Sequence, residues 1–180
     1  MSRKRIAVLS AAVVVAGLIG AGVAPSIAQQ PPPPIAAEFL TGRAVFPDDV
    51  DMRIETEPRD REDDGDRDPR AMVVRVDDPT HTVVGTFTVQ PGAEFPWHTH
   101  AGPVFVNVVQ GTLVYVAAEG CRHRRYPAGT AFVDPGHGHV HSAFNPSATG
   151  ETVFVATFFE APPGTEPLLI PADAPPGCVL

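Results

Sequence analysis

Two histidines, His98 and His100, stand two residues apart in the stretch Phe95-Pro96-Trp97-His98-Thr99-His100. On an extended strand alternate side chains share a face. Two imidazoles spaced this way can converge on one point, which is the arrangement a metal ion requires of them. Pro91-Gly92 turns the chain before the pair, and Gln110-Gly111 closes the apolar stretch that follows it. That places the pair in a strand-and-turn context, and the rest of the chain must then supply a third ligand and a scaffold.

The scaffold reads as β throughout. Segments 71–76, 81–90, 104–109, 112–117, 122–126, 131–133, 139–144 and 151–159 are apolar, β-branched or alternating, and Gly or Pro separates most of them. No segment of this region carries sustained helical periodicity. Short strands at such intervals predict an all-β sandwich or barrel. Val104 to Val109 is almost continuously apolar, so a strand buried on both faces is expected there. His81 and His123 are expected at the surface, and His137 in a turn.

The ends have a different composition. Arg3, Lys4 and Arg5 precede an apolar run from Ile6 to Ala24, and Ser26-Ile27-Ala28 offers small residues for cleavage after Ala28. Residues 1–28 therefore read as a signal peptide, which predicts a secreted, periplasmic or cell-envelope protein. An uncleaved N-terminal anchor is the alternative. Residues 29–70 read as a Pro-rich spacer, an arm around 35–54 and an acidic mobile loop. The barrel is expected over 71–160, and 161–180 is a tail with six prolines that should wrap the surface.

Charge narrows the partners. The whole chain carries −8, and loss of the signal removes three positive and no negative charges, giving −11 without a single lysine. Nucleic-acid binding needs a basic footprint and is not expected; adhesion to anionic lipid is not expected either. Cys121 and Cys178 are the two cysteines. An even count in an exported chain favours a disulfide between them, worth about 4 kcal/mol in the chain-entropy model. Two free thiols are the alternative.

A second spaced set completes the pattern. Gly92, five residues, His98-Thr99-His100, three residues, Val104, six residues and Gly111 form the first half. Gly129, five residues, Pro135, two residues, Gly138, two residues, His141, three residues and Asn145 form the second. Together these resemble the two motifs of the cupin superfamily, above all those of small exported cupins. The resemblance runs from Gly92 to Asn145 and implies a double-stranded β-helix, or jelly-roll, barrel. Two departures stand out: Val104 occupies the place of the family's glutamate, and one residue is inserted between Pro135 and Gly138.

By resemblance, His98, His100 and His141 hold a divalent transition metal, with Fe, Mn, Zn, Ni or Cu as candidates. His139, two residues before His141, is read as a second-shell partner or alternative ligand, and Glu94 as a more remote candidate from the preceding loop. Without the glutamate the ion would keep its full charge, which favours a small polar or anionic ligand at the open positions. Either a binder or a metal-dependent enzyme of oxygenase or isomerase type is compatible with the fold. The rival reading is a metal-free barrel serving as a binding or structural module of the cell envelope. Trp97 and Phe105 are read as core or pocket wall, Asn145 as a turn-holder, and Tyr115 as a hydroxyl whose direction strand parity leaves open. An exposed strand at 71–76 could pair two copies into a homodimer.

Overall fold

A computed structural model describes residues 34–56, 72–77, 79 and 81–180. Residues 1–33, where a signal peptide and the start of the spacer are expected, and the acidic stretch 57–71 lie outside the described residues. In chain order the strands are β1 (Ile35–Phe39), β2 (Ala44–Val45), β3 (Asp51–Thr56), β4 (Met72–Asp77), β5 (His81–Val89), β6 (His98–Thr99), β7 (Val104–Gln110), β8 (Thr112–Ala117), β9 (Arg122–Pro127), β10 (Ala131–Asp134), β11 (His141–Phe144), β12 (Thr152–Phe158) and β13 (Ile170–Pro171). A single 3-10 turn, Glu119–Cys121, interrupts them among the described residues. No described helix is long and apolar enough to cross a membrane.

The strands form a large sheet in the order β1-β5-β12-β7-β10, with β2 also on β5, and a smaller sheet in the order β13-β6-β11-β8-β9. Neighbours in space are mostly distant in sequence and all pair antiparallel, as in a jelly roll. The fold is therefore the expected all-β jelly-roll barrel. β3 and β4 make a separate two-stranded sheet. That pairing takes up one of the two strand edges that 71–76 offered to a second copy.

Alternation builds the core. Along β5, Val83, Phe87 and Val89 face inward, and along β12, Phe154, Ala156 and Phe158 do the same. They meet Leu113, Tyr126 and Ala143 of the smaller sheet. Phe87 stacks on Phe154 with ring centroids 5.0 Å apart and meets Phe95 edge-on at 6.4 Å. Each aromatic ring so buried contributes about 1.5–3 kcal/mol from desolvation.

β7 differs from expectation. Val104, Val106 and Val108 are buried, but Phe105 is only half-buried and Asn107 and Val109 are exposed, Val109 by 60%. Its outer face is exposed because, among the described residues, no further layer covers the large sheet there. An unbroken apolar run suggested two buried faces, yet only the inner one is used.

The smaller sheet is covered on both faces. Leu113 and Tyr115 of β8 point into the barrel. Val114 and Val116 point outward and pack with Trp97, Cys121, Cys178 and Leu180. The tail that supplies the last two is fixed where Cys121 and Cys178 pair as a disulfide, Cα atoms 5.5 Å apart.

One turn bears directly on the site. Gly136, His137 and Gly138 all hold positive φ, at 62°, 50° and 84°. A Cβ on Gly136 would sit 2.0 Å from the carbonyl oxygen of Gly102, so only glycine fits. The extra residue between Pro135 and Gly138 is thus absorbed in a left-handed run. The His137 N–H donates to the His100 carbonyl at 3.0 Å, tying this turn to the first motif.

Candidate metal centre

His98 lies on β6, His100 immediately follows it, and His141 opens β11. His98 and His141 are direct antiparallel partners. The register that pairs β6 with β11 therefore brings the two motif halves together. The three rings lie 4.2 to 5.2 Å apart, centroid to centroid, and one nitrogen of each falls within 4.8 Å of the others. All three are buried, at 4%, 6% and 4% exposure. This cluster could hold a metal ion.

Backbone carbonyls set the tautomers of two of them. His98 Nδ1–H donates to the Pro96 carbonyl at 2.6 Å, and His100 Nδ1–H donates to the Leu168 carbonyl at 2.7 Å. Each leaves Nε2 as the lone-pair nitrogen. Burial, with His100 beside it, lowers the pKa of His98 to about 4. Burial likewise lowers His100. Burial also carries His141 down to about 3, although Asp134 pulls the other way. At neutral pH the site is three uncharged imidazoles, the form that ligates metals.

Asp134, at the end of β10, is the residue that sequence reasoning missed. It is 1% exposed and accepts hydrogen bonds from the Tyr115 hydroxyl and, at 2.8 Å, from the Gly136 N–H. Burial opposes its ionisation, but His139, His141 and Tyr115 more than offset that and hold its carboxyl well below the usual range. Burial and the adjacent Asp134 charge push the Tyr115 hydroxyl well up, so it stays protonated as a donor. The Asp134 carboxylate lies 3.1 Å from His141 Nδ1 and 3.6 Å from His139 Nδ1. The first contact is close but out of line, leaving that buried nitrogen without a hydrogen-bond partner. Alternation puts Phe132 and Asp134 on one face of β10, and both line the cavity; the sequence carried that parity but not which face was inside.

The remaining candidates fall as follows. His139 is half-buried and belongs to a second group with Asp134 and His141, its Nδ1 3.2 Å from the Tyr115 oxygen. Glu94 is exposed in an isolated bridge to Phe144 and is not part of either ligand group, because its loop turns it to solvent. Trp97 packs beneath the tail on the outer face, and Phe105 meets Phe159 at 5.5 Å. Neither lines the cavity. Tyr115 does, its ring stacked on His141 at 4.8 Å. Asn145 donates to the carbonyls of Val89, Gln90 and Gly150 and accepts from the Ser147 N–H, so it holds a turn. His137 is exposed and contacts Glu160 at 2.5 Å, His123 is exposed, and His81 is half-buried at the start of β5.

A cavity lies beside the cluster, with about 440 Å³ of empty space when the open solvent at its mouth is counted. Its wall is mostly apolar: Phe87, Phe95, Phe154, Phe158, Val104, Val106, Leu113, Phe132 and Leu169 contribute. Among the described residues Asp134 is the one carboxylate that lines it, and no described Arg or Lys does. Through the β6–β13 pairing, Ile170 faces Thr99 and Pro171 faces His98. The tail thus serves as a strap that carries the Leu168 carbonyl to His100.

Residues 85–158 match the family model described as the cupin domain. Among solved structures, the chain is similar to the polyketide cyclase RemF from Streptomyces resistomycificus at 20% identity, covering 52% of this chain and 64% of that one, with a TM-score of 0.42. It is similar to an oxalate oxidase at 26% identity, covering 44% and 42%, with a TM-score of 0.39. A cupin domain from Bordetella pertussis Tohama I aligns at 31% identity over 44% and 82%, with a TM-score of 0.38. The chain spans less than two thirds of the length of the first two. No curated protein matches the chain.

Proposed function

We propose that this chain, whose residues 85–158 match the cupin-domain model, is an exported barrel of the cupin superfamily that binds a divalent transition metal through His98, His100 and His141. One observation carries the reading. Three buried, neutral imidazoles face a cavity that also holds the ionised Asp134. Among the described residues no arginine or lysine pairs with that carboxylate; its partners are Tyr115, the Gly136 N–H and histidines. A buried anion lacking a cation is costly. A metal ion on the three imidazoles would offset that cost. Such an ion would supply Lewis-acid or oxygen-activating chemistry at its open positions.

The lining narrows the expected ligand. Asp134 offsets part of the charge that the ion would offer an anion, and none of the described lining residues is basic, so the site's pull on an anionic ligand is weakened. A small, largely apolar molecule with one neutral hydroxyl or carbonyl head suits the wall better. Its head would sit at the histidine end, near the Tyr115 hydroxyl, and its body against Phe87, Phe95 and Phe154.

Metal analysis of purified protein tests the metal reading. About one ion per chain is expected in wild type, with loss in His98→Ala and His141→Ala variants that keep their near-UV circular dichroism. Negligible metal after refolding with each of Fe, Mn, Zn, Ni and Cu would overturn it and leave a metal-free barrel. Sequencing of the exported protein's N-terminus tests export; a start at Gln29 is expected.

A further inference from the structure

Position 104 carries valine where the resembling motif has a glutamate, yet the barrel has not lost its carboxylate. In the β7–β10 pairing the residue directly opposite Val104 is Asp134. Both line the cavity, and both are buried, at 2% and 1% exposure. Directly opposed side chains in an antiparallel pair are about 4.5–5.5 Å apart at Cβ. A carboxylate on either strand therefore reaches nearly the same part of the cavity.

The surroundings of Asp134 match a load that valine cannot carry. One oxygen is held by the Gly136 N–H, in a turn that glycine alone can make against Gly102. The other takes the Tyr115 hydroxyl and lies beside His141. Asp134 groups with His139 and His141 but not with His98 and His100. It stands behind one imidazole instead of joining the three.

We propose that Asp134 replaces, from the neighbouring strand, the carboxylate that position 104 lacks: it aligns His141 and sets a negative charge against the ion without joining the ligand set. Asp134 is thus a positioning residue. The inference rests on the three-histidine reading above. The 3.1 Å approach of Asp134 to His141 Nδ1 is out of line, and a small rotation of the ring on ion binding would turn it into a hydrogen bond. Carboxylates so bonded behind a ligating histidine fix its ring and raise its basicity, and their loss typically costs about 10–100-fold in metal affinity.

Chelator competition with cobalt(II) provides the test, because its visible absorption also reports ligand geometry. Wild type is expected to take up cobalt, Asp134→Asn to bind about 10–100-fold more weakly with a changed spectrum, and Asp134→Asn combined with Val104→Glu to regain much of the affinity. Equal affinity and an unchanged spectrum in Asp134→Asn would overturn the inference while leaving the three-histidine site standing. If wild type takes up no cobalt or any other candidate ion, the site reading itself fails. Should Asp134→Asn not fold, Tyr115→Phe keeps the ring on His141 and removes only the hydroxyl that holds the carboxylate. A several-fold loss with a shifted spectrum would then support the inference, and no change in either would overturn it.

Discussion

The two faces of the smaller sheet are built to opposite specifications. On its outer face Val114 and Val116 pack with Trp97 under the tail, apolar against apolar, closed by the Cys121–Cys178 pair. On its inner face Tyr115 of the same β8 strand meets His141 and Asp134, polar groups held in an otherwise apolar cavity. The outer face stabilises, and its contacts are interchangeable with others of similar volume. The inner face retains buried polar groups that burial penalises, and the proposed metal site is drawn from them. Separating stability from binding by substitution is the way to test that division.

The largest expected effect is on the inner face. His98→Ala should abolish measurable metal uptake, because two imidazoles make a far weaker site than three, while the metal-free protein keeps most of its stability. Metal content and urea unfolding of the metal-free protein, measured side by side, check this. A variant that unfolds but still binds metal when refolded would break the comparison.

Trp97→Ala should do the reverse. Removing a buried indole costs about 3–5 kcal/mol in unfolding free energy. Metal affinity in the molecules that remain folded should fall by much less than in His98→Ala. The two are neighbours in sequence, so this pair isolates face from position. Equal losses of metal by both variants would mean the two faces are not separable.

The disulfide joins the two faces. Reduction should cost up to about 4 kcal/mol by the chain-entropy argument. It should also weaken metal binding modestly, because the strap it pins carries the Leu168 carbonyl that orients His100. Mass analysis without reductant should find the Cys121–Cys178 bond, and Cys178→Ser should reproduce both effects. Unchanged affinity after reduction would show that β13 holds the strap alone.

Acid should act through the inner face. His98 and His141 are lowered by burial from 6.5 to about 4 and about 3. Between those values and 6.5 the unfolded chain binds protons that the folded metal-free chain does not. Their stabilising contribution is therefore complete above about pH 6.5 and is lost as pH falls towards 4 and 3. Asp134, held below its ordinary range, adds a loss of the same sign at still lower pH. Urea midpoints of the metal-free protein should fall steadily from pH 7 to pH 4.5; a midpoint that rises on acidification would contradict the neutral-imidazole description.

What the sequence disclosed follows the same division. The barrel and its three histidines were legible because strand periodicity and motif spacing are properties of the chain read in one dimension. Asp134 was not, because its meaning lies in the register that sets it opposite Val104, and register joins segments thirty residues apart. The strap was foreseen as a surface wrap, but a backbone carbonyl such as that of Leu168 leaves no side-chain signal. For Glu94, closeness along the chain suggested reach, whereas the loop faces outward.

The smallest expected effect concerns a third surface, the outer face of the large sheet, where Val109 is 60% exposed. Had β7 been buried on both sides, Val109→Thr would place a hydroxyl in a dry core and cost about 1–3 kcal/mol. On an uncovered face it should change stability by no more than about 0.5 kcal/mol, with threonine's β-branch keeping the strand preference of valine. The urea midpoint of this variant, free and with metal, should match wild type. A clear loss would mean that some partner surface, such as a second copy of the chain, covers β7 in solution, and the large sheet would then have two protected faces like the small one.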